Sequence, residues 1–543
     1  MIYDDIMKDR TASLLLAAII GLVLLLSYFL WSGPLYWLDD LDYITYAHQM
    51  LTGTFSIIQS PYAYGFLPSA IVALSLLSFG INPFAAVLPD LVECIALVAL
   101  TFLIGRKLYN NEVGVLSAFL SATAPFVIGY TSRALPDILM GVIGALSVYV
   151  MLLALESKSR YYLFVAAGVL AGLTVFVKLL GLAFMLAFFV GVLCYYLYDT
   201  PKKRVLDRRA VFSAYLGLLL PLIAYLLIFL AYTGNPLFGI TTYGQNQAEI
   251  SHSGLLQNVA VMIVDFFGYS LNYSSLFGTD VSWNIFPLGF VAFWAIAGAV
   301  IAIASKKKEG IFLAAMTWIL PLYLYFGTVS LTSYTSIFIA SRYFAAVAAP
   351  MAVLASYAIF DLSRVFGMAF GKNVRRMLFA GFVAVTILSN LIVYITLYNY
   401  AIAVSENNYA LGTVSAYIEM TNTTNPILVD STEYVPYLEF LSGYRERINA
   451  IRLNDTPDGL SRQIAGACDA STPTYAVFAY DSYLESNSLE LLNNTKLLIP
   501  SGCTMTKVAS SNGSDVQSYA FNAFDLNTTI YKINKINEIN KTS

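Results

Sequence analysis

The sequence predicts a polytopic α-helical membrane protein, with about eleven transmembrane helices over residues 1–400, followed by a carboxyl-terminal extracytoplasmic α/β domain over 401–543. Three observations predict it. Hydrophobic residues make up 58% of the 543 and charged residues only 12%, a balance that places the chain among membrane proteins. Apolar runs near the roughly 20 residues that cross a bilayer as a helix recur through the first 400 positions. Beyond residue 400 the runs shorten and the charge turns acidic, with 15 of the 33 acidic residues against 9 of the 30 basic ones, which argues against a nucleic-acid arm or an anchor to anionic lipid.

The spans read as 12–31, 83–104, 112–131, 136–155, 161–178, 180–198, 211–232, 285–304, 311–329, 343–361 and 377–399. The basic clusters Lys8/Arg10, Arg106/Lys107, Lys158/Arg160, Lys202 to Arg209, Lys306 to Lys308 and Arg364 to Arg376 recur after every second run, as cytoplasmic loops require. That phase puts the amino terminus inside and the carboxyl terminus outside. The first run lacks a small-residue cleavage pattern and is too long for a signal segment, so it reads as a retained helix. Counting 65–80 as a span would turn the downstream basic clusters outward. Residues 32–82 therefore read as one outer loop with juxtamembrane helices at about 40–51 and 65–80, and 233–284 as a second long outer segment.

In the last part, Ile427-Leu428-Val429 and Tyr475-Ala476-Val477-Phe478 read as strands and Glu433 to Leu441 as a helix, enough for a small domain with its own core. Seven Asn-x-Ser/Thr sequons, at Asn272, Asn422, Asn454, Asn493, Asn512, Asn527 and Asn540, all fall on segments placed outside. Cys94 and Cys194 lie in spans and read as packing residues. Cys468 and Cys503 share the outer domain, where a disulfide is open to them.

Three basic residues stand apart from the cytoplasmic pattern: Arg133, Lys178 and Arg342. The phase gathers them on the outer face with Asp39, Asp40 and Asp42. Charge at the edge of a bilayer is costly unless it is paired or lines a wet cavity, so it marks a functional site. The plainer reading is snorkelling anchors and local ion pairs. Asp39-Asp40 brings two carboxylates to the membrane surface, where one can deprotonate a hydroxyl, the two can hold a divalent cation, or either can cap a helix.

Thr131-Ser132-Arg133-Ala134-Leu135-Pro136-Asp137 forms an outer turn in which Pro136 suits the first turn of a helix and Asp137 its positive end; capping does not account for Arg133. Lys178 closes one span and Ser341-Arg342-Tyr343 opens another. Arg offers phosphate a planar fork and Lys a point charge. Asp90 and Glu93, three apart on one helix face, can line the same cavity.

In order and topology these motifs resemble the GT-C glycosyltransferases, nearest to the protein O-mannosyltransferases and the lipid A aminoarabinose transferases, over about residues 10–400. The resemblance implies that Asp39 is the base that activates the acceptor and Asp40 its neighbour, with Lys178, Arg342 and Arg133 on the donor phosphate. Asp42, Asp137, Tyr343, Asp90, Glu93 and His48 are further cavity candidates. It implies a polyprenyl-phosphate-linked sugar donor, dolichyl or undecaprenyl. The acceptor would be a protein, lipid or glycan, the setting a multi-pass place in the plasma membrane, and the cofactor at most a divalent cation at Asp39/Asp40. Nucleic acid is not an expected partner. The chain departs from many relatives at Ser60-Pro61 and Val87-Leu88-Pro89, where they carry a basic residue before the proline or the Leu-Pro. It has no Trp-Trp-Asp motif, which argues against transfer of a preassembled glycan to asparagine.

Two other classes compete. A polytopic transporter or flippase of lipid-linked sugars would place ionisable groups near mid-bilayer, whereas most lie at span ends here. A scaffold displaying the outer domain leaves the outer charges unexplained.

Overall fold

The computed structural model describes residues 8–30, 38–157, 160–198, 206–250, 262, 289–328, 337, 341–390 and, further on, 427–429, 440, 450–452, 457–468, 474–480, 503–512 and 527–535. Among the described residues eleven α-helices precede residue 251: α1 Asp9–Phe29, α2 Leu38–Thr52, α3 Leu67–Phe79, α4 Pro83–Leu108, α5 Asn111–Ala122, α6 Pro125–Ile128, α7 Pro136–Glu156, α8 Tyr161–Val177, α9 Gly181–Tyr198, α10 Arg208–Thr233 and α11 Phe238–Ile250. They are followed by α12 Gly289–Ala304, α13 Lys308–Phe326, a 3-10 segment Ser341–Val347, α14 Ala348–Phe370 and a helical run over 372–390.

Local chemistry sets the helix ends. Asn82 Oδ1 accepts from Ala85 N at 2.9 Å to start α4, whose last turn carries Arg106 and Lys107 against the negative end of its dipole. Asp207 Oδ1 does the same for α10 through Ala210 N at 2.7 Å, and Gly234, at φ 72°, ends that helix in the left-handed conformation.

Among the described residues seven helices are long and apolar enough to cross a membrane: Asp9–Phe29, Pro83–Leu108, Pro136–Glu156, Gly181–Tyr198, Arg208–Thr233, Lys308–Phe326 and Arg342–Phe370. Leu67–Phe79, Tyr161–Val177 and Phe290–Ala304 are apolar but shorter. The expected span 112–131 is not one helix. Pro125 brings no N–H, the Thr123 hydroxyl turns back to Phe119 O at 2.8 Å, and Thr123 O accepts from Asn390 Nδ2 at 2.8 Å, so α5 stops after 12 residues. That is about 18 Å of rise, short of a bilayer. The expected juxtamembrane helices correspond to α2 and α3. Residues 391–399 of the last expected span and most of 251–284 lie outside the described residues.

Beyond residue 400, among the described residues, five strands pair in the order β2-β1-β3-β5-β4, with β1 Ile427–Val429, β2 Ala450–Arg452, β3 Thr474–Tyr480, β4 Cys503–Asn512 and β5 Asn527–Lys535. β1 is parallel to β2 and β3, and β5 is antiparallel to β3 and β4. Cys468, the last residue of helix Pro457–Cys468, is disulfide-bonded to Cys503 with Cα atoms 5.9 Å apart. Asn512 and Asn527 are register partners; the other five sequon asparagines, and the expected helix Glu433 to Leu441 apart from Phe440, lie outside the described residues.

Phe440, 1% exposed, is packed in a cluster with Leu41, Ile44 and Ala47 of α2, Val72, Ala73 and Leu76 of α3, Ala85 and Ala86 of α4, and Ala134. The apolar stripe of α2, at positions 41, 44 and 47, faces this cluster at helical spacing. α2 is therefore clamped from behind by a residue far along the chain.

Candidate active site

Four charged side chains from four separate elements meet at one end of the bundle. Asp39 stands in the first turn of α2, Asp137 in the first turn of α7, Lys178 between α8 and α9, and Arg342 in the 3-10 segment before α14. Asp137 is the hub. Its Oδ1 takes Lys178 Nζ at 3.1 Å and its Oδ2 lies 3.6 Å from Arg342 Nε. Arg342 Nη2 in turn donates to Asp39 Oδ2. Tyr343 presents its ring face to both cations, 4.0 Å from Lys178 Nζ and 5.8 Å from Arg342 Cζ.

Backbone geometry accounts for the convergence. Lys178 is extended, with φ −160° and ψ 148°, and breaks α8; its carbonyl accepts from Gly181 N at 2.8 Å as the chain reverses into α9. Gly65 lies against the Val177–Lys178 peptide so closely that any Cβ there would strike it, which lets the loop carrying Tyr62 rest on the Lys178 turn. Gly141, one turn beyond Asp137, leaves room for Ala345; a Cβ there would meet Ala345 O at 2.5 Å and push Arg342 away from α7.

The side chains differ in access. Asp39, Lys178 and Arg342 are 19%, 11% and 14% exposed, whereas Asp137 is 1% exposed. The first three face an opening, and Asp137 supports them from beneath. At Asp39 burial opposes ionisation, but Arg342 as charge and hydrogen-bond donor, then Lys178 and the Tyr62 hydroxyl, more than offset it and hold the carboxyl below its usual range. Asp42 has the opposite balance: burial first, then the Asp39 charge, push it up to about 7 despite a hydrogen bond from Tyr46.

The expected site residues thus divide. Asp39, Asp137, Lys178, Arg342 and Tyr343 come together, and Asp42 lies beside Asp39. Asp40, next in the sequence, is fully buried and points elsewhere. Arg133 is 3% exposed, with its guanidinium 4.9 Å from the Tyr130 ring. Asp90 Oδ2 accepts from Leu135 N at 3.1 Å, the residue before α7, and so anchors the helix that carries Asp137. Glu93, one turn along α4, is buried beside it. His48 sits about 13 Å along α2 from Asp39, half-buried, its pKa lowered by burial.

A divalent cation at Asp39/Asp40 does not fit this donor set. Asp39 faces Arg342 and Tyr62, Asp40 is turned into the interior, and among the described residues no three His, Cys, Asp or Glu are grouped to hold a metal.

Two tyrosines escape the sequence reading. Tyr62 stands beside Asp39, and burial followed by the Asp39 charge raises its pKa. Tyr243 of α11 is raised by burial and then by Tyr343, Tyr323, Asp137 and Tyr62, which puts α11 near the same group of side chains. Nothing among the 39 tyrosines of the chain singles out these two by spacing.

Residues 63–229 match the family model of the dolichyl-phosphate-mannose-protein mannosyltransferases. The crystal structure of ArnT from Cupriavidus metallidurans in the apo state superposes with a TM-score of 0.58 at 12% identity, covering 95% of this chain and 97% of that one. The same protein bound to undecaprenyl phosphate gives 0.59 at 12% identity with the same coverage. The Archaeoglobus fulgidus oligosaccharyltransferase in the apo form gives 0.50 at 13% identity, covering 86% of this chain and 69% of that one. No curated protein matches in sequence. At such identities the structural likeness establishes the fold alone, and the segment matched by the family model carries Asp137 and Lys178. The chain is similar in fold to ArnT over nearly its whole length and, over residues 63–229, similar in sequence to the dolichyl-phosphate-mannose-protein mannosyltransferases.

Proposed function

We propose that the protein moves a single sugar from a polyprenyl phosphate, dolichyl or undecaprenyl, to a hydroxyl of a protein, lipid or glycan on the extracytoplasmic side, with inversion at the anomeric carbon. The observation that carries this reading is the meeting of Lys178 and Arg342 on Asp137 and Tyr343, with Asp39 on the same guanidinium. A point charge and a planar fork side by side at an opening suit a phosphate. The undecaprenyl phosphate bound to ArnT supports the donor class.

In the reaction the acceptor oxygen forms its bond to C1 of the sugar while its proton passes to Asp39. The C1–O bond to phosphate breaks, its electrons stay with the phosphate, and Lys178 and Arg342 offset the growing charge. Attack opposite the leaving phosphate inverts C1. Asp137 stays buried and holds the two cations in place.

Topology follows from the charges: Arg106, Lys107 and Glu156 lie at the other ends of the helices that carry Asp90 and Asp137, which supports a cytoplasmic assignment for those ends and an outer one for the site. The same phase supports an extracytoplasmic place for the strands beyond residue 400. The test is acceptor-dependent release of polyprenyl phosphate from a labelled polyprenyl phosphate sugar by the purified protein in nanodiscs. Intact lipid-linked sugar crossing the bilayer of proteoliposomes without cleavage would replace this reading with a flippase.

A further inference from the structure

Arg342 stands between two carboxylates, Asp39 on Nη2 and Asp137 3.6 Å from Nε, and Lys178 is already held by Asp137 at 3.1 Å. With both acids ionised, these four charges cancel. A phosphate at the opening therefore meets cations that are already engaged, and it gains a direct bond to Arg342 by displacing a carboxylate.

The two carboxylates are not equally displaceable. Asp137 is 1% exposed, fixed in the first turn of α7, and shared with Lys178. Asp39 is 19% exposed, at the open edge, with the Tyr62 phenol near it. Asp39 is the one that yields. Off Arg342, it also loses the neighbour that suppresses its affinity for a proton, and a base is wanted at that moment.

We propose that Asp39 is an internal competitor for the donor phosphate, and that the donor, by taking Arg342, converts Asp39 from an ion-pair partner into the base, so that donor binding precedes deprotonation of the acceptor. This rests on the polyprenyl phosphate reading above. In the resting protein the ion pair keeps the carboxylate engaged, and the lipid phosphate is its release.

The test uses undecaprenyl phosphate as the probe, with the full-length protein in nanodiscs. Asp39→Asn removes the competitor, so it should bind the probe on the order of tenfold more tightly, the equivalent of about one charge-assisted hydrogen bond, while sugar transfer falls. Arg342→Gln should weaken binding, and in that background Asn at position 39 should give no gain, since the competition runs through Arg342. Tyr62→Phe supplies an independent arm if Asp39→Asn is recovered in low yield. Without the phenol Asp39 is left to Arg342, and probe binding should weaken. Unchanged or weaker binding in Asp39→Asn, or a gain that persists without Arg342, would overturn the competition and leave the pair as a structural clip. A wild-type protein that does not bind undecaprenyl phosphate defeats the donor reading itself, a distinguishable result.

Discussion

Ion pairs gather at both ends of the helix bundle, and they are built in opposite ways. At one end Arg106 reaches Asp9 at 3.1 Å and Lys107 pairs with Glu156, with side chains 42% and 73%, and 23% and 63%, exposed. At the other, Lys178 and Asp137 are 11% and 1% exposed, and Arg342 and Asp39 are 14% and 19%. α7 carries a member of each set, Asp137 in its first turn and Glu156 at its end, about 28 Å apart along the axis. Exposed pairs gain little and are screened by salt. Buried ones carry a desolvation cost that apolar residues of the same volume would avoid. Charge kept where it is costly marks the working end, and charge at the wet end records only orientation.

Breaking the comparison begins with α7 itself. Asp137→Ala leaves Lys178 without its carboxylate and Arg342 with Asp39 alone, and should cost on the order of 3–5 kcal/mol in reversible unfolding in detergent. Glu156→Ala should cost under about 1 kcal/mol. Equal losses would erase the distinction. Asp39→Asn comes next: transfer should fall by roughly 10²-fold or more, about 2.7 kcal/mol of barrier, with folding close to wild type because Arg342 keeps Asp137. Full activity would remove the carboxylate from the chemistry.

A smaller effect comes from Asp42. Its carboxyl is raised from the ordinary 3.8 to about 7 by burial and by Asp39, so between those values the folded protein keeps a proton the unfolded chain has released. Stability should therefore fall as pH rises from about 4 to about 7 and level off above, and Asp42→Asn should flatten that part of the profile. A slope identical in the two proteins would assign it to other groups. The smallest effect belongs to Asp9→Asn, within about 1 kcal/mol and vanishing in high salt.

Much of the site was legible because charges out of phase with the basic loops are rare: Lys178 and Arg342 stand alone in long apolar sequence, and Asp39 and Asp137 sit in the first turns of helices. Direction was not legible. Asp39 and Asp40 are neighbours in sequence but about 100° apart around a helix, and only the fold decides which one meets Arg342. Asp137 looked sufficiently explained as a first-turn acid, since capping and ion pairing ask for the same residue at the same place. The break at Thr123 was hidden because hydropathy sums over a window and is insensitive to one proline, although Pro125 was there to be read. Gly65 and Gly141 act through contacts with remote backbone, and no local pattern announces those.

Phe440 sets a timetable for the working end. The four charges are all translated by residue 342, but the cluster that backs α2 lacks its aromatic until residue 440 has left the ribosome. A nascent chain halted between those points holds every reacting group and an unclamped α2, so activity should appear abruptly as synthesis passes this position rather than growing as helices insert. Arrested chains released at staged lengths would show whether the protein stays silent until residue 440 reaches the α2 cluster.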